Sequence, residues 1–260
     1  MKTISLTIIV ALLYLSVPAQ RSENYVRYVN PLIGTRRMGH TFPGATVPFG
    51  SVQLSPDTDQ PPHNIGGKYN KDTYKYCAGY QYDDSEIVGF SHTHFSGTGH
   101  SDLGDFLVMP TIGPLQMEPG AKGDPKSGFR SAFSHANETA EAGYYKVRLD
   151  DDDILAEMTA STRVGMHQYT FPNASPDAHI ILDMMHGIYN YEDKNVWTFA
   201  RVESDHTIVG YRQTNGWART RTVYFAMEFS KPFKSYGFRE FGKQDYKGFW
   251  RKFDQTKNFP

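Results

Sequence analysis

Four consecutive aspartates, Asp150 to Asp153, stand between two short apolar runs, Tyr145-Lys146-Val147-Arg148-Leu149 and the segment from Ile154 to Thr162. Apolar and polar residues alternating at period two describe a strand with one buried face. A block of like charges between two such strands belongs at a solvated turn, so the stretch predicts a hairpin. A calcium loop is the competing reading. It fails on pattern, because calcium loops alternate their ligands around a glycine and this run does neither. The same grammar recurs downstream at Thr159 to Phe171, His179 to Met184, Thr198 to Val202, Thr207 to Thr214 and Thr222 to Phe229. No long amphipathic helix interrupts these runs and no helix–strand alternation is visible. Short strands at even spacing with turn signals predict an all-β chain folded as a large antiparallel β-sandwich.

The N-terminal half is less regular. Tyr25 to Gly34 reads as strand-like and Phe49 to Leu54 as a strand, which Ser55-Pro56-Asp57-Thr58-Asp59 ends in a turn where Asp57 bonds its own backbone. Gln60 to Tyr76 is a polar loop rich in Pro, Gly and Asn. Tyr76-Cys77-Ala78-Gly79-Tyr80-Gln81-Tyr82 alternates aromatics as a strand would. Ile87 to His94 and Phe106 to Ile112 read as strands, and Phe133 to Gly143 as the site of a brief helical turn.

Length and charge set the outer limits. A chain of 260 residues with a net charge of −1 has room for one large domain, taken as residues 23–260, and lacks the basic footprint of a nucleic-acid binder. Lys2, the apolar run from Ile4 to Val17 and the small residue Ala19 read as a secretory signal peptide over residues 1–19, too short to span a bilayer comfortably. No other apolar run approaches spanning length, so no membrane span is expected after cleavage. The only cysteine, Cys77, leaves no internal disulfide and no lipid-attachment site at the cleavage point. The chain carries 17 Tyr and 17 Phe, a supply that suits both a β core and stacking on sugar rings.

Gly89 to Asp105, GFSHTHFSGTGHSDLGD, concentrates the chemistry. His92, His94, His100, Asp102 and Asp105 all want polar partners, and in a strand His92 and His94 would share one face. As a transition-metal centre the pair would match cupin-type sandwiches, which place a glutamate a few residues after it, and Phe95 to Gly99 supply none. Carbohydrate recognition asks instead for Asp and His hydrogen bonds beside an aromatic plate. Asp57, Tyr76, Tyr80, His92, His94 and Asp102 supply those types. The plainer reading is that the histidines cement an interface, Asp102 and Asp105 cap turns, and Cys77 is a packed small hydrophobe. Asp57, Asp102 and Asp105 are also the carboxylates from which a hydrolytic acid–base pair would have to be drawn.

Several long motifs in fixed order carry a family resemblance: Tyr28-Val29-Asn30-Pro31-Leu32-Ile33-Gly34-Thr35, Phe42 to Thr58, Cys77-Ala78-Gly79-Tyr80, Ser91-His92-Thr93-His94-Phe95-Ser96-Gly97-Thr98-Gly99, and Thr162 to Pro172. Together the chain resembles the N-terminal domain of glycoside hydrolase family 92, calcium-dependent, inverting exo-α-mannosidases. The resemblance implies a secreted or periplasmic protein acting on mannose-containing glycans, α-1,2-linked or related. It also implies that this chain stops short of a C-terminal (α/α)6 barrel carrying the acid, the base and most calcium ligands. On that reading the chain by itself is inactive, binds no metal and has no catalytic residue. Asp57, Tyr76, Tyr80, His92, His94, Ser96 and Asp102 then line the substrate pocket or the domain interface. Some members have tryptophan before the cysteine where this chain has Tyr76, so linkage preference stays open. The alternative is a stand-alone lectin-like sandwich.

Overall fold

The computed structural model describes residues 23–97, 102–124, 126–172, 177–191 and 193–238, together with the backbone of 257–258. The apolar run at the N-terminus and His100 lie outside these residues.

In chain order the strands are β1 (Ala45–Thr46), β2 (Gln53–Asp57), a small hairpin of β3 (Asn64–Ile65) and β4 (Lys68–Tyr69), β5 (Glu86–Ile87), β6 (Gly89–Ser91) and β7 (Leu107–Ile112). Then come β8 (Ser131–Ala132), a meander of β9 (Glu138–Glu141), β10 (Tyr144–Leu149), β11 (Ile154–Ala160) and β12 (Gly165–Thr170), and β13 (Ala178–Asp183). A second meander of β14 (Asn195–Val202), β15 (Thr207–Thr214) and β16 (Arg221–Glu228) precedes the short pair β17 (Ser235–Tyr236) and β18 (Lys257–Asn258).

Two sheets make the sandwich: β1-β2-β6-β7-β13 and β12-β11-β10-β9, antiparallel throughout. The aspartate block turns the hairpin that the sequence predicts, with Leu149 paired to Ile154 across it. Asp153 takes a left-handed φ of 55° to close it. Register puts Tyr145 opposite Met158 and Val147 opposite Ala156, so β10 and β11 present one largely apolar face. That face packs on Leu54, Phe90, Leu107, Met109 and Ile181 of the other sheet to form the main core. Burying each such aliphatic side chain is worth roughly 1.5–3 kcal/mol. β12 alternates in the same sense, so His167 and Tyr169, opposite Met158 and Ala156, share the inward face. The third sheet, β14-β15-β16, is tied to the loop before β7 by the Phe106–Phe225 ring contact at 4.6 Å.

Local expectations in the N-terminal half need correcting. Tyr25–Tyr28 is a 3-10 turn capped by the Asn24 side chain, not a strand. β2 starts four residues later than the alternation suggests and runs through Ser55-Pro56-Asp57, which the sequence assigns to a turn. Pro56 is tolerated inside a sheet because β1 pairs only with Gln53 and Leu54, leaving no strand opposite the missing N–H on that side. Tyr76–Tyr82 is likewise not a strand. A 3-10 helix, Lys71–Tyr76, hydrogen-bonds into Cys77, and Gly79 then turns the chain at φ 82°. Aromatic spacing there reports core packing rather than a pleat.

Candidate functional site

β6 ends at Ser91, so His92 and His94 leave a sheet rather than sit in one, and they do not share a face. Each finds a different polar centre. His94 Nε2 donates to Asp57 Oδ1 at 2.8 Å, and His94 Nδ1 faces the Gln53 carbonyl at 2.8 Å. Both ring nitrogens face oxygen atoms, and Ser91 Oγ lies 3.2 Å from Nε2. The second carboxylate oxygen, Asp57 Oδ2, accepts from His186 Nε2 at 2.7 Å. All three side chains are buried. Burial alone would raise the Asp57 carboxyl, but His94 and then His186 overcome it and hold the group far below the ordinary carboxylate range. Gly79 is part of this centre: a Cβ there would lie 1.9 Å from Asp57 Oδ1. Only glycine lets the 77–80 turn close over the carboxylate.

His92 belongs to a neutral ladder. Its Nδ1–H donates to the Phe106 carbonyl at 2.7 Å, so Nε2 is left to accept from His167 Nε2 at 2.9 Å. His167 Nδ1 in turn accepts from the Tyr169 hydroxyl at 2.7 Å. Burial depresses both imidazoles, His167 strongly, and beyond burial His94 lowers His92 while His92 lowers His167. The ladder stitches the loop after β6 to β12, one sheet to the other.

A third centre joins the loop before β7 to β14–β16. Asp105 accepts from Thr93 Oγ1 and is bridged by Arg221 at 2.7 Å and Arg212 at 3.7 Å. Burial opposes its ionisation, and Arg221 foremost restores it. Lys194 lies beside Arg212, and burial first, then that guanidinium, pushes its ammonium down to about 7. Asp102 spends both oxygens on the backbone N–H groups of Trp217 and Ala218, at 2.7 and 2.9 Å.

Of the residues singled out in the sequence, the fold brings Asp57 and His94 into contact. It sends His92 to His167, and gives Asp102 a capping role in a different loop. Tyr80 is fully buried and donates to Glu138 at 2.9 Å. Tyr76 lies under Lys122, whose ammonium is 3.0 Å from its hydroxyl and 5.5 Å from the ring centroid. Burial lifts that phenol to about 12. Neither ring is open for sugar stacking. On the same loop as His94, Phe95 and Ser96 are exposed, above a root locked by Asp57. Cys77 is buried, as a packed small residue would be. His186, Arg212 and Arg221 are missed by sequence reasoning. His186 lies 129 residues from Asp57, and nothing in its neighbours marks it.

These geometries bear on chemistry. A glycosidase acid must hold a proton near neutral pH, and two carboxylates must face the scissile bond. Asp57, between His94 and His186, and Asp105, beside Arg221 and Arg212, are held below the ordinary carboxylate range, so neither keeps the proton a glycosidase acid needs near neutral pH, and Asp102 accepts two backbone N–H groups of a turn. Among the described residues no group of three or more His, Cys, Asp or Glu side chains is arranged to hold a metal ion.

Comparison with known proteins was made against this background. A family model described as "Glycosyl hydrolase family 92 N-terminal domain" matches residues 28–258. A family GH92 α-mannosidase from Bacteroides thetaiotaomicron, solved in complex with mannoimidazole, is 36% identical with a TM-score of 0.73, over 91% of this chain and 30% of that one. A family GH92 inverting mannosidase from the same species is 25% identical with a TM-score of 0.59, over 84% and 27%. An uncharacterized secreted glycosidase of Arthroderma benhamiae is 31% identical over 165 residues, 63% of this chain. The chain spans about a fifth of that curated relative and three-tenths of the first solved mannosidase.

Proposed function

The chain belongs to the glycoside hydrolase family 92 N-terminal domains, and from that premise we propose that it is the sugar-facing domain of a secreted, inverting α-mannosidase acting on terminal α-mannosyl linkages. The carrying observation is the likeness, at 36% identity over 91% of the chain, to a GH92 α-mannosidase that binds mannoimidazole. Hydrolysis belongs to the remainder of such an enzyme, a C-terminal barrel that would bring the two carboxylates and calcium. The role of these residues is to hold a wall. The Asp57 clamp fixes the loop bearing Phe95 and Ser96, and the Asp105–Arg221 bridge fixes the loop bearing Asp102. Rigid roots under exposed loop tips are what positioning a substrate or docking a second domain requires.

The test is hydrolysis of an aryl α-mannoside. The 260-residue chain alone should give no turnover, with or without calcium. Adding the C-terminal portion of the solved mannosidase relative should restore calcium-dependent release of the aryl group. Chelator-sensitive turnover by the chain alone would place the acid and base inside it and overturn the reading.

A further inference from the structure

The side chains of Phe49, Val164 and Met166 take no part in the Asp57, His92 or Asp105 centres, although all three lie in the ordered motifs of the sequence. Val47 to Gly50 form a turn between β1 and β2, closed by the Gly50 N–H on the Val47 carbonyl at 3.0 Å. Pro48 stands second, and the third residue takes a positive φ, the place glycine or asparagine ordinarily fills in a type II turn. Here it is Phe49, at φ 59°. A bulky residue in the left-handed region is strained. Phe106 is strained alike, at φ 54°, but its ring is buried and meets Phe225 at 4.6 Å. The Phe49 ring is fully exposed. Strain and an apolar ring in water thus fall on one residue, and the free chain gains nothing from either.

The mount is rigid. Gln53 Nε2 donates to the Gly50 carbonyl at 2.6 Å, Thr46 Oγ1 to the Val52 carbonyl at 3.3 Å, and the Ser51 N–H to the Thr162 carbonyl at 2.7 Å. The last bond sets this turn beside the one joining β11 to β12, which the Ser161 N–H closes on the Val164 carbonyl at 2.8 Å. Val164 and Met166 are 59% and 64% exposed there, and Arg163 is exposed between the same strands. Gly165 keeps this segment against β2: a Cβ on it would lie 3.3 Å from the Val52 side chain and 3.2 Å from that of Leu54. Single apolar residues at a surface are ordinary. A strained one braced beside two more is a prepared contact, and Phe, Met and Arg are types that protein interfaces concentrate. The share of chain matched points to the occupant. This chain aligns over 91% of its length with 30% of the solved GH92 mannosidase, so in an enzyme of that size a larger remainder has to pack against this domain.

We infer that Phe49, Val164 and Met166 are the anchor on which the C-terminal part of such an enzyme docks, with the Phe49 ring entering an apolar hollow of that part. The inference rests on the reading of this chain as the first domain of a longer mannosidase. Calorimetric titration of the 260-residue chain with the C-terminal portion of the solved mannosidase relative tests it. The unaltered chain should bind. Phe49→Asn should bind at least about tenfold more weakly, and Met166→Gln should weaken binding to a smaller degree. Asparagine accepts the left-handed backbone, so the melting temperature of free Phe49→Asn should hold or rise, which loss of a structural ring would not allow. If the unaltered chain does not bind, the two-domain reading falls and the inference with it. If it binds and Phe49→Asn binds equally well, the inference alone falls. It also falls if Phe49→Asn lowers the melting temperature by several degrees. Dimerisation of the unaltered chain that Phe49→Asn abolishes would assign the patch to a second copy and overturn it too.

Discussion

His92 and His94 are two residues apart in the same loop, the first half-buried and the second buried, yet they act as different chemical groups. His94 lies against an ionised carboxylate and a carbonyl, so both its nitrogens face acceptors. His92 lies against a carbonyl and another imidazole, so one nitrogen donates and the other must accept. The first centre is built on an ionised carboxylate, which the two histidines keep in that state against burial. The second is neutral, and gaining a proton at either ring sets two donors against each other. Identity of the residue decides neither outcome; the partner does.

Four measurements would break or sharpen that contrast. The largest effect is expected at the ionic centre. Asp57→Ala leaves two imidazoles facing an empty site and should cost about 3–5 kcal/mol in urea unfolding; a loss below 1 kcal/mol would show that the clamp contributes little. Gly79→Ala comes next. It forces a side chain into a left-handed backbone, about 1–3 kcal/mol of strain, and drives a methyl onto Asp57. Asp57→Ala and Gly79→Ala together should therefore be less destabilising than the sum of the two.

The neutral ladder should report itself through pH. Because folding depresses His92 and His167 below 6.5, the unfolded chain binds more protons just under that value. Stability must then fall as pH drops below about 6.5, with His40, also depressed by burial, adding to the slope. His167→Phe should flatten that slope while costing about 1–3 kcal/mol at pH 8, since the Tyr169 hydroxyl and His92 lose their partner. Asp57 has linkage of the same sign in a lower window: its depressed carboxyl contributes stability that is lost as pH falls below the ordinary carboxylate range. A slope near pH 6 that survives His167→Phe would move the effect elsewhere. The smallest effect is expected outside both centres. The exposed Arg36–Asp83 pair should be worth about 0–1 kcal/mol, so Arg36→Ala serves as the baseline in the same unfolding series.

The β-rich half was readable because its signals are local. Alternation from Tyr144 to Met158 fixes which side chains face inward whatever the rest of the chain does, and a block of four aspartates can only turn. From Tyr25 to Tyr82 the same rules misplace elements. Pro56 sits inside a strand because a neighbouring strand is short, and the tyrosines of 76–82 are spaced by a 3-10 turn and Gly79.

The candidate site divides along the same line. Sequence alone marked Asp57, His94 and Asp102 as groups in need of partners, and ordered motifs placed the chain in its family. The fold alone chose the partners: His186 for Asp57, His167 for His92, Arg221 for Asp105, each contributed by a distant strand or loop. Period and composition describe what a residue does to its immediate neighbours in the chain. Protonation and charge are set by groups within a few ångströms in space, and only the packing of three sheets decides which those are.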